Sequence, residues 1–238
     1  MNCRNCNTEV NSNFCPNCGQ PANLKRIDGH YIIHEIEHVL HFERGILYSI
    51  RELLTNPGEN VRNYLSDNRS RLVKPIIFII VTSLIYTFIN HLFQFEDGYV
   101  KYFDGKRSTT TQIFEWIQGH YGYANIIMGV FIALWTKLFF KKHHFNFFEI
   151  LILLCFVMGI AMLIFSFFGI MQGFINIKLM QVASFFGFVY MTWAVGNFFG
   201  KKKIINYVKA LFAYILGMLT FFIIAILSGS LIDLLAKP

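Results

Sequence analysis

Charge is scarce in this chain, and scarcest where the chain is most apolar. Only 15% of its 238 residues are Asp, Glu, Lys or Arg, against about 25% in a soluble domain. Meanwhile 55% are hydrophobic and 27 are Phe. No soluble core of this size hides so much apolar surface, so lipid is the expected solvent. The run Pro75–Phe95 carries no Asp, Glu, Lys or Arg over 21 residues, enough helix to cross a hydrocarbon layer of about 30 Å. The middles of the other apolar runs also lack ionisable groups. Lys137, Glu149, Lys209 and Asp233 fall near their ends, and Thr82, Ser83, Cys155, Ser184 and Thr192 are the polar groups near mid-depth. That lack disfavours proton-coupled or charge-moving transport and leaves the hydroxyls to helix packing. The opening MNCRNCNTEV has no apolar stretch of the kind a secretory signal peptide needs. Its thiols are therefore expected in a reducing compartment, where a metal is favoured over disulfides.

Four of the five cysteines lie within the first 18 residues as Cys3-x2-Cys6 and Cys15-x2-Cys18. A two-residue gap lets both sulfurs of a pair reach one ion while backbone N–H groups point at them, and Gly19 supplies a permissive dihedral for such a turn. Four thiolates suit tetrahedral Zn²⁺ in a closed structural site with no position left for a substrate. A segment of about twenty residues has no core of its own, so metal binding becomes its folding free energy. A redox pair is disfavoured because no βαβ pattern surrounds it. Residues 1–20 thus read as a zinc ribbon, a module used to bind protein or nucleic acid or to cap a terminus.

Residues 21–74 read as a linker followed by cytosolic amphipathic helices. From about His30 to Thr55 the apolar residues recur at helical spacing and fall within an arc of about 160°. Asn56-Pro57-Gly58 ends that helix, and Asn56 with Pro57 is a cap and first turn for a second one over about Pro57–Leu65. His34-Glu35-Ile36-Glu37-His38 matches H-E-x-x-H, which places His34 and His38 on one helix face, as in zinc proteases that use the Glu as general base. On the wheel, however, His30, His34, His38 and His41 lie together opposite the apolar arc, the position of a solvated polar face. Structural polarity is the better reading, and a metal at His34 and His38 the alternative.

Residues 75–238 read as five transmembrane helices, at about 75–95, 123–140, 147–170, 179–199 and 210–235, with a polar stretch Glu96–Gly122 between the first two. Arg62, Arg69, Arg71 and Lys74 precede the first span and set a cytoplasmic N-terminus. Alternation then puts 16 of the 21 Lys/Arg residues on the inside, which fits five spans with the C-terminus outside. Lys141, Lys142, Lys201, Lys202 and Lys203 then face anionic headgroups. The fold class expected is an all-α membrane protein: a five-helix bundle, a small four-cysteine ribbon and amphipathic juxtamembrane helices.

The stretch Arg44–Pro75 (RGILYSIRELLTNPGENVRNYLSDNRSRLVKP) resembles the bacterial domain-of-unknown-function family 3667. The matching features are Arg44-Gly45, Leu53-Leu54 leading into Pro57-Gly58, Val61-Arg62 with Tyr64, and Arg69 through Lys74-Pro75. After the Tyr the family usually shows a more basic stretch, where this chain has Ser66-Asp67-Asn68. The resemblance implies an N-terminal four-cysteine ribbon joined to several spans in a bacterial inner membrane, and the cation bias adds a cytoplasmic N-terminus and a periplasmic C-terminus. It carries no activity. The expected function is a non-enzymatic scaffold that recruits a protein partner through its ribbon and contacts membrane lipids. Nucleic acid is disfavoured and an oligomer is allowed. A transporter or pore, and a membrane metalloenzyme using His34 and His38, are the alternatives.

Overall fold

The computed structural model describes residues 2, 3, 6–9, 11, 13–18, 45–95, 108–175, 177 and 179–235, with backbone alone at 121 and 122. Its contacts divide the chain into two units, Met1–Glu43 and Arg44–Pro238. Among the described residues the second unit holds eight helices: α1 Ile46–Thr55, α2 Pro57–Ser66, α3 Pro75–Phe93, α4 Thr109–Gly119, α5 Tyr121–Phe139, α6 Phe147–Ile175, α7 Met180–Gly200 and α8 Ile204–Leu235. Among the described residues of the first unit, Asn2 and Glu9 form an isolated antiparallel bridge.

α3, α6, α7 and α8 are each long and apolar enough to cross a membrane, and a fifth span results if α4 and α5, bent by 102°, count as one. The protein is an all-α membrane protein of four to five candidate spans. α6 is its central post. Its most apolar window is 61% buried, against 28% for α3 and for α8, because α3, α5 and α7 all lean on it while α8 leans on α5 and α7. Phe78, Leu153, Leu154, Phe156 and Phe198 are wholly buried there. The rings of Phe78 and Tyr64 meet that of Phe156 at 5.7 and 5.4 Å.

Several boundaries differ from the sequence reading. The helix expected from about His30 to Thr55 is interrupted at Gly45, whose φ is 67°, so that α1 starts at Ile46. The polar stretch after the first span contains a helix, α4. Its start is capped by Ser108, whose hydroxyl accepts from the Thr111 N–H at 3.2 Å, and its length packs on the end of α8. α6 continues five residues past the expected 170, and α8 begins six residues before the expected 210. At that start the Asn206 amide donates to the carbonyls of Phe199 and Gly200 at 3.0 and 3.1 Å. The reverse turn between the two helices is thereby held by side chain, and shrinks to Lys201–Lys203.

α1 and α2 break at Asn56 as the Asn-Pro-Gly signal implies, with Pro57 in the first turn. The cap differs from expectation. The Asn56 side chain donates to Glu59 Oε2 at 2.7 Å instead of accepting a helix N–H.

Candidate functional site

The first unit brings its four cysteines to one point. One ligand atom from each of Cys3, Cys6, Cys15 and Cys18 lies within 4.8 Å of all the others. Cys3 Sγ sits 3.5 Å from Cys18 Sγ, and Cys6 Sγ sits 3.4 Å from Cys15 Sγ. Neither distance is a disulfide, which needs about 2.05 Å. Both are close to the roughly 3.8 Å that separates sulfurs placed tetrahedrally at about 2.3 Å around one ion. The backbone shows how the spacing does this. Asn7 takes a left-handed φ of 61°, its N–H donating to the Cys3 carbonyl while the Cys3 N–H donates to Thr8, both at 2.9 Å. The turn so closed aims both sulfurs of the first pair the same way. Asn tolerates that conformation better than other non-glycine residues. Gly19 holds the same place after the second pair and lies outside the described residues. Thr8, through side chain and backbone, holds the Cys6 thiol low, at about 6. At Cys15 the backbone of Cys18 pulls down, but burial and the two neighbouring thiols leave it at about 11. Four sulfurs this close repel one another as thiolates, and a divalent cation relieves that repulsion. The residues present fit a four-thiolate metal site.

In the second unit, the stretch on which the family resemblance rests is a plug built into the bundle. Leu53 and Val61 are wholly buried. The Leu53 carbonyl accepts from the Tyr190 hydroxyl at 3.1 Å, tying α1 to α7. Ser49 Oγ accepts from the Val73 N–H at 3.0 Å. Gly58 lies so close to Asn197 and Phe198 that a Cβ there meets backbone atoms of both. One turn on, the Arg62 guanidinium donates to the carbonyls of Asn197 at 3.0 Å and Phe198 at 2.6 Å. Those carbonyls belong to the last turn of α7, whose C-terminal partial charge a cation stabilises. Arg71 closes the arrangement with an ion pair to Glu52 at 2.9 Å and a hydrogen bond to Tyr48 at 3.1 Å.

The five lysines read as headgroup contacts are all exposed. Phe140 stacks on Phe199 with ring centres 3.8 Å apart, and Lys209 Nζ stands 5.8 Å over the Phe140 ring. The turn carrying Lys141 and Lys142 and the turn Lys201–Lys203 therefore form one basic patch. His143 sits between them, 5.2 Å from the Phe199 ring. Burial first, then Lys203, Lys209 and His144, hold its imidazole below the ordinary histidine range.

His34 and His38, with His30, Glu35 and His41, lie outside the described residues. Two tethers escaped the sequence reading. Gln172 donates to the Phe95 carbonyl at 3.0 Å and accepts from the Leu179 N–H at 2.8 Å, joining the end of α3 to the α6–α7 turn. The Trp135 indole N–H donates to Thr220 Oγ1 at 2.9 Å between α5 and α8. A lone amide or hydroxyl inside an apolar run was the available signal for each.

No curated protein and no solved structure matches this chain. A family model described as "Protein of unknown function (DUF3667)" matches residues 43–87, a stretch that takes in α1, α2 and the first two thirds of α3. Over that segment the chain is similar to the family DUF3667.

Proposed function

We propose that this protein is a non-enzymatic multipass protein of a bacterial inner membrane, whose cytosolic zinc ribbon recruits a protein partner to the helical body. The observation that carries the reading is the closed four-cysteine cluster. It offers four sulfurs to one ion and no position for a substrate. Zn²⁺ is the ion such a donor set prefers, and it would supply folding free energy and no chemistry. The body supports the same reading. Among the described residues its buried polar side chains are Ser, Thr and Asn, with the hydroxyls of Tyr64, Tyr86 and Tyr190, groups that more often serve helix packing than the movement of charge. The N-terminus is cytoplasmic and the C-terminus periplasmic, as the cation bias requires. In that sense Lys141, Lys142, Lys201, Lys202 and Lys203 meet anionic headgroups of the inner leaflet.

The test is affinity purification of the full chain beside a variant lacking residues 1–20. The reading requires that partners be lost from the truncated protein while it still inserts. A truncated chain that keeps every partner ends the proposal.

A further inference from the structure

A groove of about 530 Å³ runs between α1, α6 and α7, within the size range of ligand sites. Its walls are apolar throughout: Ile50 and Leu54 from α1, Ile164 and Phe167 from α6, Val189 and Trp193 from α7. It is not an ordinary lipid-facing seam between spans, because one wall is the short helix of the plug rather than a spanning helix. That helix is held in place by Leu53, Ser49 and Arg71, as above. Its outer edge stays apolar, with Leu47 77% and Leu54 46% exposed. Arg51 stands on this same edge, exposed, one residue after Ile50 and one turn from both Leu47 and Leu54. The neighbouring acid, Glu52, is already taken by Arg71, and Arg51 has no ion-pair partner among the described residues. A helix that pairs an apolar edge with a cation sits at the boundary between acyl chains and headgroups. There an arginine binds phosphate through two parallel N–H donors.

We infer that this groove seats one acyl chain of an anionic phospholipid whose phosphate is held by Arg51. The apolar walls account for the chain, and the exposed guanidinium one residue from Ile50 and one turn from Leu54, both of the groove wall, accounts for the anionic head. Trp193, as a wall residue, reports occupancy directly.

The experiment uses the full chain with Trp116→Phe and Trp135→Phe, leaving Trp193 as its fluorophore. The protein is reconstituted in phosphatidylcholine vesicles holding a minor fraction of either phosphatidylglycerol or phosphatidylcholine brominated on the acyl chain. Brominated phosphatidylglycerol should quench Trp193 roughly fivefold more effectively than the brominated choline lipid. Arg51→Gln should bring the two to parity, and Arg51→Lys should keep much of the preference. Val189→Phe, which fills the groove and leaves the cation, should also abolish it. Equal quenching in the starting protein means ordinary annular lipid and overturns the inference. So does a preference that survives either Arg51→Gln or Val189→Phe. Absence of quenching by either lipid, with a cross-linked dimer, assigns the groove to a second copy and likewise overturns it.

Discussion

Arg62, inside the stretch that the family model matches, has a plain structural role. Its guanidinium reaches two carbonyls in the last turn of α7, groups that the helix itself leaves without donors. Arg62→Gln is expected to lower stability by about 1.5–3 kcal/mol, the range for hydrogen bonds from a charged donor. Arg62→Lys should recover only part of it, because an ammonium lacks the planar fork. Thermal unfolding of the purified protein in detergent measures both. Gly58→Ala meets the backbone of Asn197 and Phe198 as well as the Asn197 side chain, so a loss of about 1–3 kcal/mol is expected by overpacking. Cross-linking between α2 and α7 should weaken with it. His143 makes a prediction in pH. Its folded pKa lies below the ordinary value, so on acidification the unfolded chain takes up the proton first. The folded state is unpenalised above about 6.5 and loses stability as pH falls through and below it. His143→Gln should flatten that dependence between neutral and mildly acid buffer.

At the scale of elements, α4 is where sequence and structure part most clearly. Its polar composition reads as a loop, yet it is a helix lying along the end of α8. Asp233 explains part of this. It accepts from both the backbone N–H and the hydroxyl of Thr109, placing a carboxylate at the positive end of α4. Asp233→Ala should speed amide exchange in the first turn of α4 by roughly tenfold while leaving α6 unchanged. Hydrogen–deuterium exchange read by peptide settles it. Exchange that stays the same would mean that packing on α8 alone holds the helix. α1 and α2 were legible as helices because their apolar residues recur at helical spacing and Asn-Pro-Gly breaks between them. Which surface they cover was not. The bundle surface against which Leu53 and Val61 bury comes from residues a hundred positions downstream.

For the whole molecule, metal content and sidedness are the two measurements that matter most. One Zn²⁺ per chain is expected by elemental analysis, falling to near zero in Cys15→Ser. Chelation should unfold the first unit and leave the helical signal of the bundle, since that helicity rests on burial in α3 to α8 and not on the metal. Affinity should also drop as pH falls, because protons compete for the thiolates. A reporter fused after Pro238 should be reachable only from outside the cell. Access from the inside would require an even number of crossings and remove the cation-based orientation.

Composition, apolar run length and cysteine spacing determined the class of this protein unaided. Such signals depend on residues near in sequence and on the solvent they demand: lipid for long uncharged runs, a cation for two closely spaced thiol pairs. The tertiary structure decided what the same letters do at long range. It placed Arg62 on the end of α7, Asp233 on α4, Gln172 between two turns and Leu54 of α1 in the wall of an apolar groove. Those roles belong to pairs of segments far apart in the chain, and a one-dimensional pattern holds no record of which distant backbone will arrive beside which side chain.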